Sequence, residues 1–476
     1  MASFLKKAFL PGGLLVTLLI LAFLSGCPSS PRPPEGPVEG PGEELPPLTA
    51  SDTESILTRI ALLLNRGDYE EALALFDRID PAEAETSGIR LIKASVLTAA
   101  ERLEEARSIA GEIAAREPGN MEALLVLSNV EGAAGREREQ RALLEQVIKT
   151  EPANTSALIL LGNIALRGRS FKTAASYFDR ALAADPGNGD ALVGRAGVYR
   201  YERDPKNAET LLNKAVTLYP GWPVPYSERA RLYSEAGFPG DAIKDLDKAK
   251  DLNPRDYWTA IDRGNVLITL NRKEEALGEF TRAISLDPDN FLAYVYSAGI
   301  KDDLADHDGA EKDYTILARL NPEYYFAFEG MGIHKMRKQL WSEARDAFME
   351  AYKRAPETSY ALLAAANWMR AGRPADPKQF LEEAIRKTQR ESLDWYMLRL
   401  YHDLTGDADV AARIDRETRY DVKAKMLYYL AQYYDIRGNR NLADKYFLQS
   451  SDLNQRGNLE WRLNDWIVTE RSLKVY

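Results

Sequence analysis

The chain has 476 residues, a formal net charge of −10 and 28% charged side chains of both signs. An acidic balance without a long basic run argues against a nucleic-acid binder, whose affinity rests on Lys and Arg neutralising phosphates. Three histidines and one cysteine leave almost nothing for nucleophilic or metal-assisted catalysis.

In chain order, residues 1–26 read as an export segment. Lys6 and Lys7 open it, an apolar run over 8–24 follows, broken by Pro11-Gly12-Gly13, and Leu24-Ser25-Gly26-Cys27 closes it. The last four residues resemble the lipobox of bacterial lipoproteins. The resemblance implies cleavage before Cys27, diacylglycerol on its sulfur and an N-acyl chain, together a stable membrane anchor. Cys27 is the only cysteine in the chain, as suits an exported protein that avoids stray thiols. A plain signal peptide or an uncleaved membrane anchor is the blander reading. Pro28 is not Asp, which under the enterobacterial sorting rule implied by the lipobox favours the outer membrane.

Residues 27–50 are the lipidated cysteine and a tether. Eight prolines, three glycines and four glutamates fall between Pro28 and Ala50. Such a composition builds no core and stays extended, reaching roughly 60–70 Å at about 3.1 Å per residue.

Residues 51–358 are organised by a ladder. Pro118, Pro152, Pro186, Pro220, Pro254, Pro288, Pro322 and Pro356 stand 34 residues apart. With proline numbered 32 in each repeat, position 8 is small (Ala94, Ser128, Gly162, Ala196, Ala230, Gly264, Ala298, Gly332). Position 20 is nearly always alanine, and position 24 is mostly large and apolar, as in Phe178, Leu212, Phe280 and Phe348. Two helices of a hairpin approach closely only where side chains are small, and a bulky neighbour fills the space left. Proline ends the second helix. An earlier repeat over 53–86, with Ala72 and Phe76 in phase, makes nine in register.

This pattern resembles the tetratricopeptide repeat (TPR) family. The match is clearest over 257–290, where Gly264-Asn265, Glu275-Ala276, Phe280, Ala283 and Asp287-Pro288 occupy the family's positions. The resemblance implies an all-α fold, an α-solenoid of stacked helix–turn–helix repeats wound as a right-handed superhelix. Residues 359–458 read as divergent TPR-like helical pairs, and 459–476 as a C-terminal capping helix over the last apolar face.

The resemblance also implies that the first helix of each repeat faces inward at positions 2, 5, 9, 12 and 13. The candidate groove residues are therefore Asn129, Asn163 and Asn265, with Arg167, Arg200 and Arg231 in the middle and Trp258, Ile268 and Phe326 later. Ile261, Leu292, Val295, Ile333 and Met336 read equally as groove or as hairpin core. The chaperone-type carboxylate clamp is not expected, because position 5 carries Leu125, Ile159, Val193 and Ser227 where that clamp needs lysine. His307, His334 and His402 lie in different repeats and form no ligand motif, so no metal, cofactor or small-molecule substrate is implied. The expected function is a non-enzymatic, lipid-anchored scaffold of the bacterial envelope, binding proteins or peptides. The alternative is a surface-exposed adhesin.

Overall fold

The computed structural model describes residues 53–372 and 377–473; the export segment, Cys27 and the tether lie outside them. The described residues form 26 α-helices and no strand. The chain divides after Arg272 into two compact units.

In the first unit the ladder becomes structure with little distortion. First helices of 13 residues begin at Ser87, Met121, Thr155, Gly189, Pro223 and Tyr257. Second helices of 14 residues begin at Leu103, Glu137, Phe171, Pro205 and Pro239. Each second helix stops two residues before its proline, which offers no N–H and disfavours a helical predecessor. In three of these repeats the next helix is then capped by an asparagine side chain. Asn120, Asn154 and Asn188 accept the backbone N–H of Ala123, Ala157 and Ala191 at 3.0, 3.0 and 3.1 Å, each cap contributing about 1 kcal/mol.

The small and large positions meet as expected. Ala94, Ala106, Ala174, Ala208, Leu144 and Phe178 are fully buried. A Cβ on Gly162 would sit 2.8 Å from the Phe178 ring, so glycine there is a packing requirement. The first repeat departs at its end. Its second helix, Tyr69–Ala74, runs on as a 3-10 turn over Leu75–Arg78. Asp80 then caps a short helix that starts with Pro81, whose fixed φ suits a first helical turn.

The turn inside each repeat carries a left-handed residue at position 15. Glycine takes it in Gly135 and Gly237, but Glu101, Arg169, Arg203, Ala305 and Gln339 also adopt φ between 55° and 59°. A Cβ there crowds the following carbonyl. Ala305→Gly is therefore expected to raise stability by up to about 1 kcal/mol, measured by urea denaturation; no gain would mean the strain is absorbed elsewhere.

The second unit starts with Lys273–Leu286 and keeps the period through Trp341–Arg354. Ala298, Ala310, Ala344 and Phe348 are again fully buried. The pattern then changes. In Thr358–Arg370, residues 359–367 are buried without a break, so the helix has no wet face. It packs on both Leu393–Asp403 and Tyr420–Ile436. Tyr401, Tyr428 and Tyr429 fill the space between them. Helix Leu459–Glu470 closes the unit, burying Leu463 and Ile467.

Candidate interaction face

The inward positions of the first unit combine half-exposed polar and apolar side chains. Asn129, Asn163, Trp258, Asn265 and Ile268 are all half-buried. Trp258 meets Tyr257 edge-on at 5.3 Å between ring centres. Position 5 turns into the core, with Leu125 7% and Ile159 5% exposed, and Ile261 is buried too.

The arginines singled out from sequence are paired within the chain. Arg200 meets Glu235 at 3.1 Å, and the exposed Arg167 lies 3.9 Å from Glu137. Arg231 lies between Glu228 at 2.5 Å and Asp262 at 2.7 Å, acids at position 6 of its own repeat and of the next. Burial works against the charge of Arg231, yet the two acids hold its pKa above the usual guanidinium value. Burial raises the Asp262 carboxyl, and Arg231 opposes that. Arg200 and Arg231 serve as links between consecutive first helices, whereas Arg167 reaches back to the second helix of the preceding repeat.

In the second unit some inward positions are met by the chain itself. Arg462, on the terminal helix, hydrogen-bonds to Glu329 at position 5, which also accepts from the Tyr360 hydroxyl at 2.6 Å. Glu460 accepts from Ser359 Oγ at 2.5 Å and Tyr429 Oη at 2.8 Å. The guanidinium of Arg337, at position 13, lies 5.5 Å from the Trp466 ring centre. Helix Leu459–Glu470 is thus more than a cover for the last helix pair. Ile333 and Met336, read equally as groove or core, are core. Phe326 is 45% exposed and stacks obliquely on Tyr325, with ring centres 4.1 Å apart.

A family model described as tetratricopeptide repeat matches residues 125–189, 159–223 and 227–291. Over these residues the chain carries tetratricopeptide repeats. No curated protein matches the sequence. Among solved structures, MamA is 23% identical over 34% of this chain and 94% of its own, with a TM-score of 0.32. YrrB, described as a TPR protein with an unusual peptide-binding site, is 19% identical over 40% of this chain and 98% of its own, with a TM-score of 0.36. PilF of Pseudomonas aeruginosa is 18% identical over 43% of this chain and 93% of its own, with a TM-score of 0.39.

One cluster in the TPR array escaped the sequence reading. His307 and His334, placed in different repeats by number, stand with ring centres 5.6 Å apart, and Asp302 joins them. His307 opens the second helix of one repeat, His334 lies late in the first helix of the next, and Asp302 lies late in the first helix of the earlier one. The signal was a spacing of 27 residues, which joins these two positions in a 34-residue register. The protein is a TPR scaffold suited to protein–protein interaction.

Proposed function

We propose that this TPR protein is a lipid-anchored scaffold of the bacterial envelope, held to the outer membrane through Cys27, that gathers partner proteins on the inward face of its first unit. The observation that carries the choice of face is the contrast between the two units. Asn163, Trp258, Asn265 and Ile268 stay half-exposed, whereas Glu329 in the second unit is engaged by Arg462 of the terminal helix and by the Tyr360 hydroxyl. An apolar inward strip flanked by carboxamides suits an extended segment or an amphipathic helix of a partner. No described helix is long and apolar enough to cross a membrane. In this reading attachment rests on Cys27 and the proline-rich stretch behind it, which sets the standoff from the lipid.

Two measurements test the reading. Cys27→Ser is expected to move the protein from the membrane fraction to the soluble one; unchanged fractionation would remove the lipid anchor from the proposal. A photo-crosslinker at Asn163 is expected to form protein adducts in cells that one at Lys172, on the exposed side of a second helix, does not. Equal adducts at both would remove the inward face. Digestion by added protease on intact cells would place the array on the surface, and protection until the outer membrane is opened would place it in the periplasm.

A further inference from the structure

The chain has three histidines, and two of them converge on one carboxylate inside the second unit. One donor atom from each of Asp302, His307 and His334 lies within 4.8 Å of the other two. His334 is 1% exposed, and neither ring nitrogen has an aligned hydrogen-bond partner. Its Nε2 lies 2.9 Å from Asp302 Oδ1, but without the direction a hydrogen bond needs. A buried imidazole held only by one poorly directed contact calls for an explanation.

We propose that Asp302, His307 and His334 form a binding site for one divalent ion of the zinc class. Two imidazoles and one carboxylate are the donor types that ion prefers, with water completing a tetrahedron. Metal–donor bonds of about 2.0–2.2 Å require donors about 3.3–3.6 Å apart. The cluster reaches that by side-chain shifts of at most about 1.5 Å. The outer support is already in place: the Tyr314 hydroxyl donates to Asp302 Oδ2 at 2.8 Å and fixes the carboxylate. His307 and Asp302 are partly exposed, which leaves a way in from solvent.

The competitor is Arg337. Its Nη1 lies 2.9 Å from His307 Nδ1 and 2.5 Å from Nε2, so a guanidinium now stands against the donor edge of that ring. The Arg337 Nε is itself buried and without a partner. The metal binds as Arg337 swings aside, and its ion pulls together three consecutive helices.

The test uses the full chain carrying Cys27→Ser, so that the lone thiol cannot ligate, titrated with Zn²⁺ against a chromophoric chelator. One ion per chain is expected, with visible Co²⁺ bands of tetrahedral intensity when cobalt replaces zinc. His334→Ala and Asp302→Asn are each expected to weaken binding at least about 100-fold. Arg337→Gln is expected to tighten it, and His402→Ala, outside the cluster, to leave it unchanged. Circular dichroism separates loss of ligand from loss of fold, and the partly exposed His307→Asn repeats the test where folding is least at risk. Failure to take up one ion per chain, or uptake that survives His307→Asn and Asp302→Asn together, overturns the site.

Discussion

Phe178→Ala is expected to lower the stability of the first unit by roughly 3–5 kcal/mol, the range for emptying a fully buried aromatic site. Phe178 is fully buried, at position 24 of its repeat. Its ring lies against Gly162 of its own repeat and Gly194 of the next, so two absent Cβ atoms make the space it fills. Neither glycine has a side chain that can relax into the void, which puts the cost toward the upper end. The reciprocal change, Gly162→Leu, should cost about 1–3 kcal/mol by overpacking against the same ring. In a repeat array each module contacts only its neighbours, so the damage should stay local. Urea denaturation should therefore show a lower midpoint and a shallower transition for Phe178→Ala. Hydrogen exchange should localise the loss to the helices over 155–201. A loss under about 1 kcal/mol would mean that the hairpin contact at positions 8 and 24 is not what holds the stack.

That contact was readable in advance because it is local and periodic. Small residues at positions 8 and 20 and large ones at 24 recur every 34 residues, and one chemistry explains them all. The caps Asn120, Asn154 and Asn188 keep the same 34-residue period, yet the reading from sequence passed over them. The candidate face was less readable. Arg231 reads as a free groove cation until the register is used to place Asp262 beside it, 31 residues on. The carboxamides of Asn129 and Asn163 are placed where the register puts them, yet periodicity alone does not say what they touch. The closing helix was least legible. Ser359 and Glu460 are 101 residues apart, and Glu329 and Arg462 are 133 apart. No repeat rule relates such positions, because the terminal helix follows a divergent stretch and returns to helices laid down far earlier. The histidine cluster lies between these cases. Its spacing is regular, but its residues are not consensus residues, so the pattern that reveals the fold passes over them.

Asp435→Ala is expected to cost the second unit about 2–3 kcal/mol and to change the shape of its acid denaturation. Asp435 accepts from Arg370 Nη2 at 2.7 Å and from Arg471 Nη2 at 2.6 Å, and Arg471 Nη1 reaches Asp444 at 2.9 Å. It therefore joins helices Thr358–Arg370 and Tyr420–Ile436 to the end of the chain. The side chains of Asp435, Arg370 and Arg471 are 12%, 19% and 20% exposed. Removing one member strands cations with little water, a loss somewhat below the roughly 3–5 kcal/mol of a fully buried pair because some solvent still reaches them. Burial alone would raise the Asp435 carboxyl, but Arg370 and Arg471 more than offset it, and its pKa lies below the usual value. The folded state then binds fewer protons than the unfolded chain between the two pKa values. The stabilisation is complete above the unfolded value, near about 3.9, and is lost as pH falls through the folded one. Glu329 acts in the opposite sense. Burial raises its pKa against the pull of Tyr360 and Arg462, so its contribution is greatest at low pH and declines as pH rises through the folded value. Asp435→Ala should therefore lower the melting temperature at pH 7 while narrowing its gap from the parent below about pH 4. Parallel melting curves across that range would show that the Asp435 carboxylate is not what ties the terminal segment down.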